Sequence, residues 1–296
     1  KLGAADPVFH EYAAVRTVTV CSAGCISAKR DIQKRVPAGK GISDMEIQYI
    51  KQYSPSMGCD MECKIYGHKG RPVLFIPCQD GRFYDFENFG MTDVWSPWLE
   101  AGEVMVFSID TVDRETWSDH SGDPAWRIRR YEQWIRYITD ELVPYMRDTI
   151  NERNGWTGYP GIMACGCSLG ATHAANLYFQ RPDLFDRLMA LSGIYSSEFG
   201  FGAYMDERVY RNSPIHYLGG MPGDHPYIRL YNLKKAVICV GQGAWELPDS
   251  TRQLDGILKE KGINAWVDYW GYDCSHDWYW WYRQTEYFLP WLLSNE

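Results

Sequence analysis

The chain has 296 residues, of which 45% are hydrophobic and 23% are charged, and its formal net charge at pH 7 is −8. This composition suits a soluble globular protein with enough material for one large core. The negative charge argues against nucleic acid or an anionic membrane as a partner, and we find no hydrophobic run long enough to span a bilayer.

The first 42 residues are predicted to form a segment of their own. They contain one strand-like run at residues 15–20 and a polar, glycine-containing stretch at residues 29–41. We expect an N-terminal extension or arm over residues 1–42, which either extends a sheet or mediates formation of a homo-oligomer. A single folded domain is expected over residues 43–296.

Short apolar runs and alternating patterns predict eight strands in this domain. The predicted strands cover residues 46–53, 60–66, 72–77, 103–109, 161–166, 187–192, 235–241 and 265–269. The clearest helical pattern between them runs through residues 125–150. Because strands and helices alternate, we predict an α/β fold with a mostly parallel sheet flanked by helices, whose functional loops follow the carboxyl ends of the strands.

A G-x-S-x-G motif occupies residues 166–170, between the fifth predicted strand and a predicted helix. A sharp turn at this place holds the serine in a strained backbone conformation, so its neighbours must be small. The N-terminus of the helix directs unpaired N–H groups at the site. Ser168 is therefore the predicted nucleophile, and the N–H of Leu169 is predicted to form one half of an oxyanion hole.

A serine hydroxyl needs a general base, and in this arrangement the acid and then the histidine follow the serine along the chain. His276 lies in the loop after the last predicted strand, where the base is expected. The other six histidines fit less well, because they lie on the nucleophile helix, before the central strands or in polar connections. His276 is the predicted general base.

The acid is expected in the loop after the strand at residues 235–241. A carboxylate there can fix the imidazole tautomer and stabilise the imidazolium that forms when Ser168 loses its proton. Glu246 is the predicted acid. Asp249 is the alternative, although an Asp at that place more commonly caps the following helix.

The loop after the third predicted strand, residues 78–86, is expected to complete the oxyanion hole. Its glycine, Gly81, lets the backbone turn towards the nucleophile. The second donor is then the backbone N–H of Gln79 or that of Asp80, and the sequence does not distinguish them.

Three side chains are candidates for substrate binding, namely Arg82, Tyr84 and Trp278. Arg82 and Tyr84 either contact substrate or belong to a structural network beneath the loop. Trp278 opens an aromatic stretch at residues 278–282. Aromatic rings stack on sugars and phenolics, but packing of a terminal helix against the sheet is the favoured interpretation of this stretch.

These motifs resemble the putative-esterase family of α/β-hydrolases, which includes S-formylglutathione hydrolases, feruloyl esterases and mycolyltransferases. The resemblance covers about residues 43–293 and rests on residues 79–84, 166–171, 241–246 and 276–278. It is closest to a bacterial branch with a G-C-S-x-G-A elbow and an H-D-W motif. The resemblance implies the α/β-hydrolase fold, a Ser168, Glu246, His276 triad and no cofactor or metal. Many relatives carry Asp where this chain has Ala244, so the triad depends on Glu246 reaching His276.

The sequence therefore predicts a serine carboxylic-ester hydrolase that acts through an acyl-enzyme on a small or aromatic ester. An acyltransferase or a thioesterase would use the same triad, and an acyltransferase would differ in passing the acyl group to an added acceptor. A non-catalytic ligand-binding protein on the same scaffold is the alternative of another class, and it predicts a broken triad.

The nine cysteines give an indication of the cellular compartment in which the protein resides. Their number is odd, and Cys165, Cys167 and Cys239 lie in or beside predicted buried strands, where cysteine behaves as a small hydrophobic residue. This usage favours a reducing cytoplasm over a disulfide scaffold. A cleaved signal peptide would leave no trace, so secretion stays open.

Overall fold

The computed structural model describes residues 45–158 and 161–294, and the predicted extension at residues 1–42 lies outside them. The described residues form one eight-stranded sheet flanked by helices, which confirms the predicted fold class. The strands are β1 (Ile47–Ser54), β2 (Cys59–Tyr66), β3 (Arg71–Ile76), β4 (Val104–Ile109), β5 (Ile162–Cys167), β6 (Phe185–Leu191), β7 (Lys235–Val240) and β8 (Trp266–Tyr269). Each lies within two residues of a predicted strand at either end.

Eleven α-helices connect or follow these strands in the described part of the chain. They are α1 (Asp85–Asn88), α2 (Met91–Glu100), α3 (Pro124–Arg136), α4 (Val143–Asn154), α5 (Leu169–Gln180), α6 (Glu198–Phe201), α7 (Glu207–Arg211), α8 (Pro214–Gly219), α9 (Pro226–Tyr231), α10 (Pro248–Lys261) and α11 (Trp278–Leu293).

The strand order is β1-β2-β4-β3-β5-β6-β7-β8. β1 pairs antiparallel with β2, and β2 pairs antiparallel with β4, whereas every other neighbouring pair is parallel. The carboxyl ends of β3, β5, β6, β7 and β8 therefore lie along one edge of the sheet. The loops that follow these ends carry all the residues predicted for catalysis.

The central strands are mostly apolar because both of their faces are covered. Every residue of β4 and of β5 is buried. By contrast, β1 stands at the edge of the sheet, and most of its residues are exposed. The sequences differ accordingly, since polar residues recur along β1 while β4 and β5 are almost wholly apolar.

The helical pattern predicted through residues 125–150 is divided into three parts in the structure. Helices α3 and α4 are separated by a π-helical stretch, Tyr137–Leu142. Pro144 follows this stretch and has no N–H to donate to the preceding turn. The wide π-helical turn accommodates that missing hydrogen bond. Apolar periodicity describes the side chains and not the backbone hydrogen bonds, so it did not reveal the interruption.

The turn between β5 and α5 depends on a close contact between backbones. A Cβ at Gly166 would overlap the carbonyl group of Gly170. A Cβ at Gly170 would overlap the carbonyl oxygens of Ile76 and Pro77 at the end of β3. Because these neighbours are backbone atoms in a buried sheet, they cannot move aside as a flexible side chain could.

We expect Gly170→Ala to lower the free energy of unfolding by about 3 kcal/mol, because the added methyl group forces α5 away from β3. Gly256→Ala is the matched control, since Gly256 is exposed within α10 and a Cβ there meets nothing within 4 Å. Removing a helical glycine should raise stability by about 0.5–1 kcal/mol. Urea unfolding of both variants and the wild type measures the free energy of unfolding. Equal stability of Gly170→Ala and the wild type would contradict the prediction.

Candidate active site

Ser168 stands between the end of β5 and the start of α5. Its backbone has φ 56° and ψ −130°, which is strained for a residue with a side chain. Its N–H donates to the carbonyl oxygen of Leu191 at 2.8 Å, so the neighbouring strand holds this conformation. The Oγ atom lies 2.9 Å from Nε2 of His276. The nucleophile predicted from the sequence therefore stands within hydrogen-bond distance of the predicted base.

His276 lies in the loop between β8 and α11. Its backbone N–H donates to the carbonyl oxygen of Ala244 at 2.9 Å, and the N–H of Gly243 donates to the carbonyl oxygen of Cys274 at 2.8 Å. These two bonds join the histidine loop to the loop that follows β7. The imidazole side chain is 24% exposed, so it can meet a substrate while its loop is held in place.

Glu246 faces the other side of the imidazole. Its Oε2 atom lies 3.2 Å from Nδ1 of His276, and its side chain is 1% exposed. Its Oε1 atom accepts hydrogen bonds from Oγ of Ser192 at 2.7 Å and from the N–H of Gly241 at 3.3 Å. The side chain of Asp249 is instead 87% exposed and pairs with Arg252. Of the two candidate acids, the structure brings Glu246 to the histidine.

Ser192 and Trp281 support the acid and were missed by the sequence analysis. Ser192 directly follows β6, has φ 59° and is buried. Its Oγ accepts a hydrogen bond from Nε1 of Trp281 at 3.0 Å while it donates to Glu246. The ring of Trp281 also packs edge-on against His276, with centroids 5.0 Å apart. A polar residue at the carboxyl end of a central strand was the one sequence signal for Ser192.

Two candidate donors, Gln79 and Asp80, lie in the loop at residues 78–86, which we call the oxyanion loop. Their N–H groups differ in what they bind. The N–H of Asp80 donates to Oδ2 of Asp113 at 3.2 Å, and Asp80 has φ 59°. The side chain of Gln79 donates to Ser118, but its backbone N–H bonds to none of the described residues. Leu169 is the first residue of α5, so its N–H has no partner within the helix. Of the three candidate oxyanion donors, the N–H groups of Leu169 and Gln79 are therefore the two left without a partner among the described residues.

Arg82 belongs to an ionic network beneath the oxyanion loop. Its Nε atom lies 2.8 Å from Oδ1 of Asp110, and its Nη2 atom lies 2.9 Å from Oε2 of Glu62. Asp110 also accepts the N–H of Phe83 at 2.9 Å, and burial raises the pKa of its carboxyl group. The guanidinium lies over the ring of Tyr84, 5.6 Å from its centroid. These contacts favour the structural interpretation of Arg82, and a substrate contact by Arg82 or Tyr84 stays a prediction.

Trp278 is largely taken up by packing. Its residue is 7% exposed, and its ring stacks on that of Phe89 with centroids 4.6 Å apart and planes at 8°. It also packs edge-on against Trp281. These contacts favour the core-packing interpretation of the aromatic stretch, and a contact between Trp278 and substrate stays a prediction.

Two thiols lie close to the predicted triad along the chain. Burial raises the pKa of Cys167, which precedes Ser168, well above its usual range. Burial likewise raises the pKa of Cys274 to about 12. Both thiols therefore stay protonated near neutral pH, and a protonated thiol is a poor nucleophile. Neither thiol is therefore a candidate nucleophile in place of the Ser168 hydroxyl.

Residues 45–158 and 161–294 contain no group of three or more His, Cys, Asp or Glu side chains arranged to hold a metal ion. In the same residues, no helix combines the length and the apolar character needed to cross a membrane.

Several solved structures resemble this chain. The ferulic acid esterase AmCE1/Fae1A from Anaeromyces mucronatus has 14% identity and a TM-score of 0.63, over 87% of this chain and 94% of its own. An S-formylglutathione hydrolase from Agrobacterium tumefaciens has 14% identity and a TM-score of 0.64, over 84% and 95%. The serine hydrolase FphF from Staphylococcus aureus has 12% identity and a TM-score of 0.61, over 85% and 99%. At these identities the likeness establishes the α/β-hydrolase fold.

No curated protein matches the chain. A family model described as Putative esterase matches residues 54–285, which is most of the chain and includes Ser168, Glu246 and His276. This chain therefore belongs to the Putative esterase family of carboxylic ester hydrolases.

Proposed function

We propose that the protein is a serine esterase that works through an acyl-enzyme, with Ser168 as nucleophile, His276 as general base and Glu246 as the acid of the triad. The observation that carries this proposal is the hydrogen-bonded series from Ser168 Oγ to His276 Nε2 and from His276 Nδ1 to Glu246, at 2.9 and 3.2 Å. A non-catalytic binding protein would have no need to keep this series intact.

In the first half of the reaction, Ser168 Oγ attacks the ester carbonyl carbon and its proton passes to Nε2 of His276. The resulting imidazolium is stabilised by Glu246, which is buried and fixed by Ser192 and Gly241. The carbonyl oxygen gains the negative charge. His276 then protonates the departing alkoxide, which leaves the acyl group on Ser168.

The negative oxygen of the tetrahedral intermediate is held by the N–H groups of Leu169 and Gln79. Two features support this pair, namely the position of Leu169 at the start of α5 and the engagement of the Asp80 N–H with Asp113. Unpaired donors fixed before the reaction stabilise developing charge without having to reorganise. In the second half, His276 takes a proton from water, whose oxygen attacks the acyl carbon. The bond between that carbon and Ser168 Oγ then breaks, His276 returns the proton to Oγ, and the carboxylic acid is released.

We propose a small or aromatic ester as substrate. Trp245 is 71% exposed with φ 67°, and Tyr272 is 82% exposed. They lie on the two cross-bonded loops that carry Glu246 and His276, so aromatic faces stand near the entrance to the site. Flat aromatic or sugar rings stack on such faces. Ferulic acid esterases among the structural relatives are consistent with an aromatic acyl group.

Replacing the nucleophile tests the mechanism. We expect Ser168→Ala to lower kcat by roughly 10⁴–10⁶-fold on p-nitrophenyl esters from acetate to decanoate and on methyl ferulate, because no acyl-enzyme can form. A fluorophosphonate probe should label the wild type and leave this variant unlabelled. Ser96→Ala, on the surface of α2, is the control and should keep full activity. Equal turnover by Ser168→Ala would exclude the proposed mechanism.

Replacing each candidate acid tests its assignment. We expect Glu246→Gln to lower kcat/KM by about 10²–10⁴-fold, because a neutral amide no longer stabilises the imidazolium or fixes the reactive tautomer. Asp249→Asn should stay within twofold of the wild type, since its side chain is exposed and meets Arg252. Steady-state kinetics on one p-nitrophenyl ester compares them. A greater loss in Asp249→Asn than in Glu246→Gln would reverse the assignment.

A further inference from the structure

A buried histidine–carboxylate pair lies beneath the oxyanion loop and takes no part in the steps above. His173 lies on α5 and is 0% exposed, and Asp113 lies in the 3-10 turn Asp113–Glu115 and is 1% exposed. Nε2 of His173 is 2.8 Å from Oδ1 of Asp113. The rings of Trp117 and Trp134 pack against the imidazole, with centroids 5.6 and 5.3 Å away. The imidazole therefore has no room to turn to another partner.

The surrounding hydrogen bonds assign the proton on this histidine. Tyr131 Oη lies 3.0 Å from Nδ1 of His173 and accepts a hydrogen bond from Nδ2 of Asn176 at 3.3 Å. Burial raises the pKa of Tyr131, so its hydroxyl keeps its proton and donates it to Nδ1. Nε2 must then carry the imidazole proton and donate it to Asp113. One carboxylate oxygen of Asp113 is thereby fixed by α5.

The other carboxylate oxygen of Asp113 holds the oxyanion loop. Oδ2 accepts the N–H of Asp80, whose φ of 59° is a left-handed conformation that residues with a Cβ adopt at a cost. The next residue is held as well, because the carbonyl oxygen of Gly81 accepts from the N–H and the Oγ1 of Thr111 at 3.3 and 3.1 Å. With Asp80 turned in this way, the N–H of Gln79 is the one left unpaired.

We propose that His173 and Asp113 are positioning residues that set the separation of the two oxyanion donors. Leu169 N–H belongs to α5 and Gln79 N–H belongs to the loop after β3, so the two donors come from different elements. The series His173, Asp113, Asp80 joins α5 to that loop by two hydrogen bonds, of 2.8 and 3.2 Å. This proposal rests on the proposed esterase function, since it concerns the oxyanion hole of the same site.

The test compares substitutions that remove or keep the acceptor for Asp80. We expect Asp113→Ala to lower kcat by about 10²-fold, with KM within threefold of the wild type, because a displaced donor weakens binding of the transition state more than that of the substrate. Asp113→Asn keeps one oxygen that can accept the Asp80 N–H, but its NH2 group then faces the N–H of His173, so its kcat should lie between those of Asp113→Ala and the wild type. His173→Phe keeps a ring but removes both nitrogens, and its kcat should fall as that of Asp113→Ala does.

A second readout separates positioning from a general loss of structure. Ser168 adds to the carbonyl of a short alkyl trifluoromethyl ketone, the hydroxyl proton passes to His276, and the carbonyl oxygen becomes an oxyanion in the same hole. The inhibition constant of this ketone should therefore rise in Asp113→Ala by about the factor by which kcat falls. Tyr231→Phe is the matched control, because it removes a buried hydroxyl that binds Phe179 on the same helix, far along the chain from the oxyanion loop.

Each result decides the proposal when every variant is assayed well below its own melting temperature. If Asp113→Ala does not fold, His173→Phe carries the same comparison. Activity of the folded variants within threefold of the wild type would overturn the proposal, as would a fall in kcat with no change in the inhibition constant. A wild type that depends on Ser168 for turnover would leave the proposed function standing in those cases. A wild type that hydrolyses no ester would overturn both.

Discussion

The contact between the N-terminus of α5 and the carboxyl end of β3 is the constraint on which the site depends. Gly170 has no side chain, so α5 begins directly against the carbonyl groups of Ile76 and Pro77. This contact places the first N–H groups of α5 beside the loop that begins after Ile76. The serine that precedes Leu169 must then turn sharply, and its φ of 56° is held by the hydrogen bond to Leu191 in the neighbouring strand. Close packing of two backbones thus brings Ser168 and the N–H groups of Leu169 and Gln79 to one edge of the sheet.

The contact between Glu246 and His276 depends on the backbone at residues 244–246. Ala244 stands where the resemblance leads one to expect Asp, and its carbonyl oxygen instead accepts the N–H of His276 at 2.9 Å. Glu246, two residues later, has a longer side chain that extends back to the imidazole. Trp245 between them has φ 67°, which reverses the chain so that Ala244 and Glu246 both face His276. The hydrogen bond from the His276 N–H to the carbonyl oxygen of Ala244 and the contact with the Glu246 carboxylate together fix the histidine.

The sequence predicted what depends on local pattern and missed what depends on distant contacts. The strands and the places of Ser168 and His276 follow from apolar runs and the loops that end them. The choice between Gln79 and Asp80 could not be made in this way, because it depends on Asp113, 33 residues after Asp80 in the chain. Ser192 donates a hydrogen bond to Glu246 across 54 residues, and its place after a central strand does not reveal that partner. The π turn within residues 125–150 was missed because apolar residues recur throughout the stretch, whereas the interruption accompanies a backbone N–H that Pro144 lacks.

Backbone strain in the described residues is concentrated at the site. Four residues other than glycine have positive φ, namely Asp80, Ser168, Ser192 and Trp245. They follow β3, β5, β6 and β7, so all four lie at the carboxyl edge of the sheet. Each such conformation costs on the order of 1–3 kcal/mol and persists only where surrounding contacts enforce it. The buried central strands provide that enforcement, together with the hydrogen bonds that Ser168, Asp80 and Ser192 donate to Leu191, Asp113 and Glu246 respectively. The stable scaffold therefore holds the loops at the carboxyl edge of the sheet in a conformation that they would not adopt alone.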